Sequence, residues 1–126
     1  MLCEHCGYTH LSHILNPAIS YSNYVYETKV TVGLSKHYKE YAADIISFAG
    51  ITRPSFVVDL GSNDGTMLKA FKYLGMSVLG VEPSKQIADI ANHNDIKTLN
   101  DYFTISVADR IIKEYGKATV ITANYM

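Results

Sequence analysis

The chain has 126 residues, enough for one domain with a core of its own or for part of a larger one. Its 48% hydrophobic and 18% charged residues exclude a disordered polymer. A net charge of -1, from 11 basic and 12 acidic residues with no long run of either sign, leaves no electrostatic footprint for nucleic acid or an anionic membrane.

No apolar stretch, ATVITA from Ala118 included, approaches a membrane span, and MLCEHCGYTH lacks the basic start and apolar middle of a signal peptide. The expectation is a cytoplasmic protein. In that setting C-E-H-C at residues 3 to 6 suggests metal or redox chemistry rather than a structural disulfide. Cys3 and Cys6 make half of a tetrahedral zinc site. His10 and His13 are the candidates to close it, but only three residues separate Cys6 from His10, and two cysteines upstream are the simpler completion. A redox role lacks the preceding strand and following helix. Residues 1–33 read as a partial zinc-binding lobe and linker. Within it SYSNYVYET places Tyr24 and Tyr26 on one face of an extended segment, where they either meet a ligand or cover the sheet.

From Leu34 the pattern is regular. Leu34, Tyr38, Tyr41, Ala42, Ile45 and Ala49 fall at helical spacing, with Gly50 as a stop. SFVVDL (55–60) predicts a buried strand, GTMLKAFKYLG a helix ending at Gly75, and SVLGVE (77–82) a second strand. SKQIADIANHN predicts a helix capped by Ser84, with Ile87, Ala88 and Ala91 on one face. IKTLN (96–100) reads as a third strand, TISVADRIIKEYG as a helix with Val107, Ala108, Ile111 and Ile112 inward, and ATVITA as a fourth strand. This alternation predicts an α/β fold, residues 34–126, with a parallel sheet of about four strands covered on both faces. Ligands of such sheets sit at the carboxyl ends of the strands, where Asp59, Glu82 and Asn124 fall.

VVDLGSNDGT (57–66) is the strand-to-turn segment where a nucleotide would bind, yet it fits neither G-x-G-x-x-G nor a phosphate loop. Asp59 and Asp64 stand where a phosphate would be repelled, and the loop has no basic residue before Lys69. The turn suits an adenosine ligand that presents positive charge, such as S-adenosylmethionine (SAM) with its sulfonium and ammonium. Glu82 ends the second strand 23 residues after Asp59, the place of the acidic residue that accepts from ribose hydroxyls in nucleotide-binding βαβ units. Structurally, Asp59 can instead cap its turn, Glu82 can be a solvated residue before Pro83, and Gly61 and Gly65 can be ordinary turn glycines. His37 reads as a packing or surface residue and His93 as a helix-end residue.

Taken together, LCEHCGYTHL, YSNYVYETKVTVGLSKHY, VVDLGSNDGTMLKAFKYLG, VLGVEPSKQIA and ATVITAN resemble the SAM-dependent C-methyltransferases of nucleotide-linked deoxysugars. These join a four-cysteine zinc lobe to a Rossmann-like class I methyltransferase domain. G-S-N-D-G-T followed by G-V-E-P is the specific part. The resemblance implies that Asp59, Gly61, Ser62, Asn63 and Gly65 line the methionine part of SAM, that Glu82 holds the ribose, and that Asn124 lies near the methyl group. It implies zinc as a structural metal in the complete protein, with Cys3 and Cys6 as two of its ligands. It also implies a reaction in which a proton leaves the carbon beside a sugar ketone and the enolate takes the methyl group, with Tyr26 facing the sugar. Departures are Tyr125 for a second Asn, Thr28 and Lys29 for two serines, and His10 for a common Gln. The first zinc-ligand pair and the His that serves the family as base are not in the sequence, so the expectation is a truncated, inactive form whose last strand forms an exposed edge. A nucleotide-binding oxidoreductase half-domain and a non-catalytic zinc-ribbon binding module are the alternatives; the anionic turn opposes the first and the neutral charge the second.

Overall fold

The computed structural model describes residues 1–13, 16, 19, 21 and 24–124. Tyr125 lies outside them. Residues 24–33 pass through a 3-10 turn at Thr28–Val30 into α1, Leu34–Phe48. Then β1 (Phe56–Leu60), α2 (Thr66–Tyr73), β2 (Ser77–Glu82), α3 (Lys85–His93), β3 (Thr98–Asn100), α4 (Ile105–Tyr115) and β4 (Val120–Ala123) alternate as the sequence predicts.

The four strands are parallel, in the order β3-β2-β1-β4. Successive side chains on a strand point to opposite faces, so neighbouring valines serve different cores. Val57 joins Tyr38, Ala42 and Ile46 of α1 with Leu68 and Phe71 of α2. Val58 joins Leu79 and Val81 with Val107 and Ile111 of α4. Burying both sides of the strands explains why they read as continuous apolar runs rather than alternating ones. The chain lays β1, β2 and β3 in one direction, then returns to place β4 on the far side of β1. That reversal opens a crevice at the carboxyl ends of the strands.

Two expectations need correction. Ile112 is 48% exposed, because α4 buries only the narrower stripe of Val107 and Ile111. Ser84 occupies the N-cap position of α3 but makes no capping bond; its hydroxyl donates instead to the Tyr24 carbonyl at 3.1 Å.

Gly65 begins α2 with φ +77°, and a Cβ there would lie 2.7 Å from Ile96 Cγ2. Gly65→Ala therefore combines left-handed backbone strain with overpacking, a loss of about 2–4 kcal/mol. Gly33→Ala, at φ +84° with nothing within 4 Å of the new methyl, should lose about 1 kcal/mol from the backbone alone. Urea unfolding of the two variants separates these effects; equal losses would refute the Ile96 contact as the cause.

Candidate cofactor-binding site

A cavity of about 640 Å³ lies at the carboxyl ends of the strands, within the roughly 300–1,000 Å³ range of small-molecule sites. Asp59, which lines it, belongs to a row across the sheet. Asp59 on β1 is in register with Thr122 on β4 and Gly80 on β2, which in turn is in register with Thr98 on β3. Asp59 is buried and accepts a 2.7 Å hydrogen bond from the Thr122 hydroxyl. Gly80 leaves room for the turn above it, since a Cβ there would stand 2.3 Å from Ser62 Oγ and 2.7 Å from Thr98 Oγ1. Ser62 Oγ is itself buried against Gly80 without a hydrogen-bond partner.

Glu82 closes β2. One carboxylate oxygen accepts from the Asn63 amide at 2.9 Å and the other from the Ser84 amide at 2.8 Å. Those two bonds fix the side chain and leave its remaining lone pairs toward the cavity. Burial raises both carboxyls. Glu82 shifts upward against the pull of its two amide donors. Asp59 rises to about 7 through burial, with the Thr122 hydroxyl opposing and the Glu82 charge adding to the rise. Among the described residues the lining carries three carboxyl groups, Asp59, Glu82 and Asp101, and no Lys, Arg or His. Such a site attracts a ligand's cationic part and repels a pyrophosphate.

Asp59, Gly61, Ser62, Asn63, Glu82, Asn124 and Tyr26 all line this cavity. Gly65 does not; it serves helix packing. Asp64 is turned away from the ligand space. Its Oδ1 accepts from the Thr66 amide and hydroxyl at the start of α2, and its Oδ2 from the Lys29 amide. Asn63 is held at φ +50°, and its side chain is spent on the preceding segment: Nδ2 donates to the Tyr26 carbonyl, and Oδ1 accepts from the Thr28 amide and hydroxyl. The middle two residues of S-N-D-G thus hold the linker. Tyr24 and Tyr26 do share a face: both line the cavity, with ring centroids 6.4 Å apart. The Tyr26 hydroxyl shares a 2.6 Å hydrogen bond with Thr31 Oγ1. Sequence reasoning passed over Asp101, Tyr102 and Phe103, which follow β3 and complete the wall. The strand-end rule that found Asp59 and Glu82 would have found them too.

Cys3 and Cys6 sit on a knuckle in which the Gly7 amide donates to the Cys3 carbonyl and the Cys3 amide to the Tyr8 carbonyl. The backbone amides of Cys6 and His5 and the Cys6 thiol point at the Cys3 sulfur and lower its pKa, which suits a thiolate ligand. Among the described residues, however, no group of three or more Cys, His, Asp or Glu side chains is placed to hold a metal ion. His10 Nδ1 faces the Leu11 carbonyl and His13 Nδ1 the Ser12 hydroxyl, so the Cys2His2 arrangement does not form. Two thiols alone do not fit a closed zinc site.

The architecture matches solved methyltransferases. The SAM-dependent methyltransferase from Agrobacterium tumefaciens superposes with a TM-score of 0.56 at 17% identity, over 73% of this chain and 32% of that one. Magnesium protoporphyrin IX methyltransferase from Synechocystis, with bound S-adenosylhomocysteine (SAH), gives 0.54 at 13% identity, over 88% and 47%. This is the class I methyltransferase fold. In sequence the chain is homologous to the C-methyltransferase NovU of Streptomyces niveus, 27% identical over 121 residues. The match takes in 96% of this chain and 29% of that protein, so the chain spans less than a third of the length of its curated relative. No family model matches. Among the described residues no helix is long and apolar enough to cross a membrane.

Proposed function

We propose that this chain carries the cofactor site of a SAM-dependent C-methyltransferase whose acceptor is a nucleotide-linked keto-deoxysugar. The observation that carries the proposal is the pair of buried carboxyl groups, Asp59 and Glu82, ending adjacent strands beside a cavity without a cationic side chain. Glu82, already oriented by two amides, accepts from the ribose hydroxyls. Asp59 faces the positive end of the methionine part. SAM supplies an electrophilic methyl group. The C-methyltransferase homologue supports a carbon acceptor, which must first lose a proton. Tyr26 lines the cavity, which supports a role for its hydroxyl as donor to the ketone or enolate oxygen of the acceptor, where charge develops during the reaction. The sequence resemblance favours the sugar over other carbon acids.

Calorimetric titration of the folded chain with SAH, and separately with NAD, tests the cofactor assignment. Saturable SAH binding, lost in Glu82→Ala with an unchanged circular dichroism spectrum, is the expected result. Preference for NAD would overturn it.

A further inference from the structure

The segment 24–31, which brings Tyr24 and Tyr26 to the cavity, is fastened at successive residues to the cofactor turn. Ser84 Oγ donates to the Tyr24 carbonyl at 3.1 Å, Asn63 Nδ2 to the Tyr26 carbonyl at 2.8 Å, the Thr28 amide to Asn63 Oδ1 at 2.9 Å, and the Lys29 amide to Asp64 Oδ2 at 2.9 Å. Three of these four bonds depend on the side chains of Asn63 and Asp64, two adjacent residues. The segment has little else to hold it: Tyr24, Val25, Tyr26, Lys29, Val30 and Thr31 are exposed, and only Thr28 is buried.

Asn63 is also one of the two residues that fix Glu82. Its backbone amide donates to the Glu82 carboxylate, while its side chain, rigid in the same turn, holds the tyrosine segment. We infer that Asn63 is a positioning residue that makes cofactor binding at Glu82 and closure of the tyrosine segment over the cavity one coupled event. A ligand that orders the Glu82 carboxylate also orders the Asn63 amide and, one side chain away, the carbonyl of Tyr26 and the amide of Thr28. Coupling of this kind is reciprocal: closing the segment raises ligand affinity by the same factor that the ligand favours closure. The tethers are made in the free chain, so the ligand strengthens an existing closure rather than creating it. This inference rests on the SAM assignment above.

The test is amide hydrogen exchange of residues 24–31 with and without SAH, in wild type and in Asn63→Gly, a change that tolerates φ +50° and deletes the tethers to Tyr26 and Thr28. In the wild type SAH should slow exchange of Thr28 and Lys29 about tenfold. In Asn63→Gly the Thr28 amide should exchange about tenfold faster without ligand, and SAH should no longer protect the segment although Glu82 and Asp59 remain. Asn63→Asp keeps the acceptor for Thr28 but loses the donor to Tyr26, so it should restore Thr28 protection and not the full SAH effect. A merely structural Asn63 would lower stability in Asn63→Gly and leave the SAH-dependent protection intact, which overturns the inference. Should the wild type bind no SAH, the cofactor assignment fails on its own; unchanged Thr28 exchange in ligand-free Asn63→Gly would then overturn the tether as well, and faster exchange would uphold it.

Discussion

Glu82→Ala should weaken SAH binding at least a hundredfold. The Glu82 side chain is 4% exposed and lies at the end of β2, with one oxygen on the Asn63 amide and the other on the Ser84 amide. Hydrogen bonds to a charged acceptor contribute about 1.5–3 kcal/mol each, and two ribose hydroxyls can each donate one. Together they supply roughly 3–6 kcal/mol, or two to four orders of magnitude in affinity. Glu82→Gln should not rescue, because its amide NH2 would confront the N–H of Asn63 or of Ser84. A 2′,3′-dideoxyadenosyl analogue of SAH isolates the ribose contribution: it should bind wild type weakly and be nearly indifferent to Glu82→Ala. Wild-type affinity in Glu82→Ala, or full binding of the analogue to wild type, would place the ribose elsewhere.

Most of the sheet was legible because its evidence is local. VVDL and VLGVE are apolar on both faces, and the glycine turn and acidic strand ends that follow them depend on nothing remote. Strand-end logic therefore located Asp59, Glu82 and Asn124 on one cavity. The turn misled where its partners are distant in sequence. Asp64 reads as ligand-facing because it sits in a nucleotide turn, and Asn63 lines the cavity but commits its side chain elsewhere; their side-chain partners Tyr26, Thr28 and Lys29 lie some 35 residues earlier in a segment with no periodicity. Ser84 misled for a similar reason, since a cap position says where a hydroxyl is but not which of two acceptors or donors it meets. Ile112 has the spacing of an inward residue, yet how wide a stripe a helix buries is set by the sheet beneath it. The need for glycine at Gly80 was equally hidden: it comes from Ser62 and Thr98 crowding one point, a fact of three chain segments at once.

The two carboxyl groups also predict an opposed pair of pH dependences. Burial, aided by the charge of Glu82 and resisted by the Thr122 hydroxyl, holds Asp59 at about 7 in the free chain against 3.8 for an ordinary aspartate. The folded state therefore keeps a proton that the unfolded chain gives up, and stability falls as pH rises from about 4 through 7. Binding runs the other way. A cationic ligand needs the carboxylate ionised, and with a pKa near 7 roughly one chain in ten is ionised at pH 6 and about nine in ten at pH 8. SAM affinity should rise by about an order of magnitude over that interval, with proton release on binding that calorimetry in buffers of different ionisation enthalpy can count. Asp59→Asn should bind weakly at every pH and lose most of both slopes. A second comparison locates the contact: if Asp59 faces the ammonium, SAH follows the same pH curve as SAM, whereas an Asp59 facing the sulfonium leaves SAH nearly flat. Wild-type SAM affinity that is constant or declines from pH 6 to 8 would show that Asp59 does not meet a cation, and would leave its burial beside Thr122 as a structural feature of the sheet.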